Sequence, residues 1–152
     1  MTPQDTFAAL HDAARAACGA RLFTVTVLDR AAGVARRAYS SHPQDYPVTG
    51  TKPIGNSDWT AQVIDRGEAF VANDTRGFAP YFPDHALINA LGCEAAMNIP
   101  VSRDGAVAGT INILDAAGHF TPQRCATLLA LVESHRNALL AAFDAVPMED
   151  PA

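Results

Sequence analysis

A histidine, a cysteine and a glutamate fall close together in this sequence, at His85, Cys93 and Glu94. These residue types can do acid–base or nucleophilic chemistry. His85 follows Asp84, a helix N-capping type, so its ring is expected at a helix start. The partial positive charge there disfavours an imidazolium and leaves a neutral ring able to accept or shuttle a proton. A surface or capping histidine fits the same place equally well. Cys93 at a strand start near His85 raises a Cys–His nucleophile, but no residue supplies a third orienting group or an oxyanion hole. Glu94 suits a cationic ligand group. A second set carries amides. Asn98 and Asn112 lie in strands that otherwise bury apolar side chains. A buried amide left without a partner costs about 1–3 kcal/mol, so each touches either a ligand or neighbouring backbone. A third set is aromatic: Tyr39 and Tyr46 offer hydroxyls and Trp59 one N–H donor. Arg37 can clamp a carboxylate bidentately, although arginines at 36 and 37 on an edge strand also block edge-to-edge association. His42 reads like His85; His11, His119 and His135 read as structural or solvated.

Several elements must position these groups. Thr2 caps a helix with Pro3 at its first position, and Phe7, Leu10, Ala14 and Ala17 recur at helical spacing until Gly19. Residues 22–28 alternate as a strand with Phe23, Val25 and Val27 on one face, and residues 34–41 return as its hairpin partner. Residues 42–56 carry Pro43, Pro47, Pro53, Gly50 and Gly55 and read as one long loop. Loops this long in compact domains tend to be functional or mobile. Ser57 or Asn56 caps a short helix over 58–66 with Trp59, Val63 and Ile64 inward, and residues 68–72 form a short strand. Residues 73–84 are irregular and aromatic, with Phe78, Tyr81 and Phe82. Asp84 caps a short helix over 85–91.

A hairpin follows over 93–101 and 106–114. With Ser102–Gly105 as a four-residue turn, Asn112 faces Ala95 and Asn98 faces Gly109, which sends the two amides to opposite sheet faces. Cys93 then shares a face with Asn112, and Glu94 with Asn98. Thr121-Pro122 opens one last helix that runs to Pro147 and carries Leu128, Val132, His135, Leu139 and Phe143 on one stripe. That stripe is wider than one sheet face needs. With the alanine-rich first helix it is expected to build a homodimer. Residues 1–146 are expected to form one domain, and 147–152 a loose acidic tail.

The bulk properties exclude several classes. The chain has 152 residues, 49% of them hydrophobic and 18% charged, which is a folding composition and not a disordered one. Its net charge is −5, with eleven basic residues against sixteen acidic ones. Nucleic-acid affinity is mostly phosphate neutralisation, so no nucleic-acid partner is expected. No run approaches eighteen apolar residues, so no membrane span is expected. The N-terminus lacks a basic segment leading into an apolar run, and three widely spaced cysteines suit reduced thiols, so the expected location is cytoplasmic. No Cys/His spacing suggests a metal site, and nothing names a cofactor.

The element order and several phrases resemble the GAF domain family. The strongest runs from Leu91 through Pro100-Val101, continues over Asp104-Gly105, and ends in Gly109-Thr110-Ile111-Asn112-Ile113-Leu114. The helix from Trp59 to Arg66, Gly67, the strand at Phe70–Asn73 and the Phe120-Thr121 opening support it. The resemblance spans roughly residues 5 to 144. It implies an α+β fold: a central antiparallel sheet of about five to six strands, terminal helices on one face, and loops and short helices forming a small-molecule pocket on the other. It also implies that the terminal helices pack against a second subunit. On that pattern Tyr39, Ser41, His42, Tyr46, Trp59, Phe82 and His85 border the pocket, with Glu94, Asn98 and Asn112 as further candidates. Family subtypes separate by residue. No cysteine precedes a histidine, as bilin attachment in the phytochrome type would want. The Asn-Lys-Phe-Asp-Glu pattern of cyclic-nucleotide binders has no counterpart. Phe82-Pro83-x-His85 is similar to the segment before a catalytic cysteine in free methionine-R-sulfoxide reductases, but Leu87 and Ile88 stand where the thiol would follow and the upstream cysteines are missing.

Three functions fit these residues. The first is a ligand-binding sensory module that passes its signal to a partner. The second is a small pocket enzyme using His85 with Cys93 or Glu94. The third is a dimerising scaffold with a vestigial pocket.

Overall fold

The computed structural model describes residues 1–48 and 50–148. Residues 149–152, most of the expected acidic tail, lie outside the described residues. Helix α1 (Pro3–Cys18) starts at a capping box in which Thr2 and Asp5 each bond the other's backbone N–H, with Pro3 where a missing N–H costs nothing. Strands β1 (Leu22–Asp29) and β2 (Val34–Ser40) form the first hairpin. The long loop is interrupted by a two-residue strand, β3 (Lys52–Pro53), which pairs with Val34 and Ala35. Ser57 caps α2 (Asp58–Thr60), which widens into a π-helical turn over Ala61–Asp65. Strand β4 (Phe70–Ala72) follows.

The expected irregular stretch contains α3 (Thr75–Phe78), capped by Asp74. Next come α4 (His85–Ala90), β5 (Ala95–Arg103) and β6 (Ala106–Asp115). The single last helix expected from the sequence is two, α5 (Pro122–Ser134) and α6 (Arg136–Asp144). The break is local chemistry. Ser134 Oγ donates to the Leu131 carbonyl at 2.7 Å, and His135 Nδ1 lies 2.8 Å from the same oxygen. Such back-bonding competes with the helical ladder and bends the chain.

The strands form one antiparallel sheet in the order β3-β2-β1-β6-β5-β4. Its central strands are covered on both sides. On one face Phe23, Val25, Val27, Met97, Ile99, Ile111 and Ile113 meet Phe7 and Leu10 of α1, Leu128 and Val132 of α5, and Leu139 and Phe143 of α6. Burying each large side chain contributes about 1.5–3 kcal/mol. Helix α6 reaches β6 because Gly109 has no side chain. A Cβ there would stand 2.6 Å from the Thr26 carbonyl oxygen and 2.7 Å from the Phe143 ring. The other face carries Leu22, Thr24, Thr26, Ala96, Asn98, Thr110, Asn112 and Leu114. A smaller apolar cluster of Leu22, Ala72, Phe78, Ile88, Cys93, Ala96 and Leu114 closes one end of it.

Two irregularities set which residues face which side, and both differ from the sequence expectation. In the β5–β6 hairpin Arg103 pairs with Ala106, so the turn is Asp104-Gly105 alone, with φ of 52° and 81°. Those left-handed values are what a two-residue hairpin turn requires. Between Val101 and Ser102 the register then moves by one residue, leaving Ala108 of β6 as the extra residue, and Asn98 pairs with Asn112, not with Gly109. The two amides therefore share a face. The shorter turn alone would have kept them on opposite faces; the bulge brings them together. In the β1–β2 hairpin the register shifts between Val25 and Thr26, leaving Ala38 as the extra residue. Arg37 opposite Thr26 and Tyr39 opposite Val25 consequently point to different faces.

Candidate ligand-binding site

The polar face of the sheet is roofed by the loop after β2, by α2 and by the segment between α3 and α4. Between roof and floor lies a cavity of about 380 Å³, within the range of small-molecule sites. Thr24, Thr26, Asn98, Thr110 and Asn112 form its floor; Tyr46, Trp59, Tyr81 and Phe82 its aromatic wall; Arg37, Lys52 and Asp84 are its charged members.

The floor is a connected relay. Trp59 Nε1 donates to Asn98 Oδ1 at 3.0 Å. Asn98 Nδ2 donates to Asn112 Oδ1 at 2.8 Å. Asn112 Nδ2 donates to the hydroxyls of both Thr24 and Thr26, each at 3.1 Å. Both amides are buried, and the relay answers the cost of taking them out of water. The partners are side chains, so neither a ligand nor neighbouring backbone is needed to satisfy them.

The wall has its own network. The Arg37 guanidinium lies 3.6 Å over the centre of the Tyr46 ring, a cation–π contact, and its Nη1 donates to the Pro47 carbonyl at 3.0 Å. The Tyr46 hydroxyl donates to the Asp84 carboxylate. Burial, then that bond, push the Tyr46 hydroxyl well above its ordinary pKa, so it stays a donor. This corrects the expected role of Asp84. Its carboxylate makes no cap bond to α4, because it is turned to Tyr46. Phe82 stands edge-on to Trp59 with ring centres 6.3 Å apart.

Of the ten residues singled out from the sequence, Tyr46, Trp59, Phe82, Asn98 and Asn112 line this cavity together. The other five do not. Tyr39 is on the helix face, because Ala38 bulges. It stands edge-on to Phe23 and Phe7, and its hydroxyl lies 3.0 Å from His11 Nδ1. Ser41 closes the first hairpin, accepting from the Phe23 N–H at 2.9 Å, and its hydroxyl lies 2.8 Å from His42 Nδ1. Both lie beyond the end of β2, where the chain leaves the sheet. His85 is half-buried at the start of α4, outside the cavity. Glu94 is exposed ahead of β5. It has the same parity as Asn98 but stands four residues, roughly 13 Å, along the chain from it.

No hydrogen bond joins His85 to Cys93 or Glu94 among the described residues. Cys93 is fully buried in the smaller apolar cluster. Burial, then the Asp115 carboxylate, push its thiol up to about 11. The thiolate is the nucleophilic form, so burial and the raised pKa both disfavour this cysteine as a nucleophile. Among the described residues no group of three or more His, Cys, Asp or Glu side chains could hold a metal ion, and no helix is long and apolar enough to cross a membrane.

Residue-by-residue reading missed the threonines and Lys52 and left Arg37 undecided. A signal for the threonines was present. Thr24 and Thr26 alternate with Phe23, Val25 and Val27, so they must occupy the opposite face of the same strand.

A polar-floored cavity on one face of a six-stranded antiparallel sheet, with terminal helices on the other, defines a class of α+β domain. The family model for the GAF domain matches residues 1–139; the chain belongs to the GAF domain family. No curated protein matches the chain. Solved structures share the fold. A GAF domain/HD domain protein from Geobacter sulfurreducens has a TM-score of 0.72 at 14% identity, covering 92% of this chain and 93% of that one. A domain of a putative two-component sensor histidine kinase protein from Sinorhizobium meliloti 1021 has a TM-score of 0.68 at 16% identity, covering 90% of each chain. A type II free methionine-R-sulfoxide reductase from Thermoplasma acidophilum also has a TM-score of 0.68, at 15% identity, covering 91% and 92%.

Proposed function

We propose that this domain is a sensory or regulatory module that binds a small molecule in the cavity above Asn98 and Asn112 and passes the signal to a partner. GAF domains are commonly such modules, and one similar structure is a domain from a two-component sensor histidine kinase protein. The observation that carries the reading is the relay itself. The floor satisfies its buried amides internally and still leaves an open, aromatic-walled volume above them. A vestigial pocket would have collapsed onto its floor, because protein interiors are close-packed. An enzyme built on Cys93 is disfavoured by that thiol's burial and raised pKa.

We further propose a homodimer through the terminal helices. Leu129 on the outer side of α5 is 42% exposed, beside the exposed alanines Ala126 and Ala130. Sedimentation velocity of the wild type and of Leu129→Glu checks this: a dimer that becomes a monomer supports it, and a wild-type monomer ends it.

Native mass spectrometry of the protein as purified, with a thermal-shift screen of small metabolites, tests the binding reading. A retained mass, or a ligand that raises Tm in the wild type but not in Trp59→Ala, supports it. A bare chain that no compound stabilises overturns it.

A further inference from the structure

The direction of the floor relay is set by one atom. An indole N–H can only donate. Trp59 Nε1 therefore fixes Asn98 with Oδ1 toward the indole and Nδ2 toward Asn112. Asn112 must then present Oδ1 to Asn98, which turns its NH2 toward Thr24 and Thr26. Each of those hydroxyls accepts from the amide, so each has its own O–H left to donate elsewhere. The Thr110 hydroxyl, paired across from Thr26 in the sheet, also lines the cavity and takes part in none of these bonds. The floor thus offers O–H donors to whatever enters.

The wall adds charge of matching sign. Arg37 uses one N–H on Pro47 and a ring face on Tyr46, and forms no ion pair with a carboxylate among the described residues. Lys52 also lines the cavity. Among the described residues the one carboxylate lining the cavity, Asp84, is engaged by the Tyr46 hydroxyl, at the far end of the ring that Arg37 covers.

We infer that the cavity takes a small planar carboxylate, an aromatic or conjugated acid. Its anionic end meets Arg37, its ring lies against Trp59 and Phe82, and acceptor atoms on its edge meet the threonine hydroxyls. This rests on the binding reading above and narrows it to one ligand chemistry. Planar bidentate recognition of a carboxylate is what a guanidinium does best. The threonine hydroxyls that accept from Asn112 keep their O–H groups for acceptor atoms of such a ligand.

Trp59 is the only tryptophan in the chain, so its single indole ¹H–¹⁵N resonance reports the cavity. We would titrate the full chain with benzoate, benzamide and benzylamine, which share a ring and differ in charge. Benzoate is expected to move the resonance at the lowest concentration. Arg37→Met should weaken benzoate about tenfold or more and leave benzamide unchanged, with Arg37→Lys between. Thr26→Val should weaken benzoate by about two- to fivefold. Benzamide binding as well as or better than benzoate, with Arg37→Met altering neither, overturns the carboxylate inference and leaves the binding reading standing. Tighter binding of benzylamine overturns it in the same way. If none of the three moves the resonance, the carboxylate inference falls, and the binding reading stands or falls by the metabolite screen. The ligand-free spectrum of each variant, taken first, shows that it is folded.

Discussion

The two faces of this sheet are made by the same strands and do opposite things. The helix face is apolar and filled. Phe23, Val25, Ile111 and Met97 meet three helices there, and Gly109 lets α6 come within contact of backbone. The cavity face carries threonine and asparagine at the alternate positions of those strands, bonded into a relay under about 380 Å³ of open volume. Close packing maximises dispersion and burial on the first face. The second face gives up part of that stabilisation and keeps a shaped, donor-bearing volume. The strand period of two lets one segment specify both.

Substitutions at paired positions break this comparison most sharply. Phe23→Ala, on the filled face, should lower stability by about 3–5 kcal/mol in urea unfolding, through lost transfer and the cavity left behind. Thr26→Val, three residues away on the open face, should cost less than about 1.5 kcal/mol. Comparable losses at both sites would mean that the two faces are not energetically distinct. Asn112→Ala comes next. It removes the acceptor of Asn98 Nδ2 and the donor to two hydroxyls, for an expected loss of about 1–3 kcal/mol and a displaced Trp59 indole resonance. An unmoved indole resonance would show that the relay does not reach Trp59.

Cysteine alkylation sharpens the contrast without a mutation. Cys93 is fully buried with its thiol pushed up to about 11, while Cys18 and Cys125 are half-buried. Iodoacetamide at pH 7.5 should modify at most two thiols in the native protein and three after unfolding, read by intact mass. Three in the native protein would show that the smaller apolar cluster opens readily.

The smallest effect concerns His11, which stacks on Phe23 with ring centres 4.9 Å apart. Its pKa is lowered, first by burial and then by Arg15, with Asp12 opposing and His42 adding to the fall. The folded state therefore binds a proton less readily than the unfolded chain. Stability from this group is present above its ordinary pKa and is lost as pH falls from there through its lowered folded value. The urea midpoint should drop between pH 7 and pH 5.5 by more in the wild type than in His11→Gln. An equal drop would assign the acid sensitivity to other groups.

Much of the fold was legible. Thr2-Pro3 and Thr121-Pro122 announce helix starts because capping is local chemistry. Alternation over 22–28 and 106–114 announces strands because side-chain direction along a strand is local geometry. Half of the candidate site was legible on the same terms: Trp59 and Phe82 lie on short segments fixed by nearby caps and prolines. Tyr39 was not, because Ala38 bulges. The joining of Asn98 to Asn112 was not, because Ala108 bulges opposite Val101 and Ser102.

The sequence by itself determined which residues each strand presents on alternate sides: Thr24 and Thr26 against Phe23 and Val25, and Asn98 against Met97 and Ile99. Only the tertiary structure decided which of those sides met across strands. Register is a relation between two strands, and one extra residue in either exchanges every face beyond it. The bulge at Ala108, opposite Val101 and Ser102, placed two asparagines side by side, and the bulge at Ala38 turned Tyr39 away from the cavity that Arg37 faces.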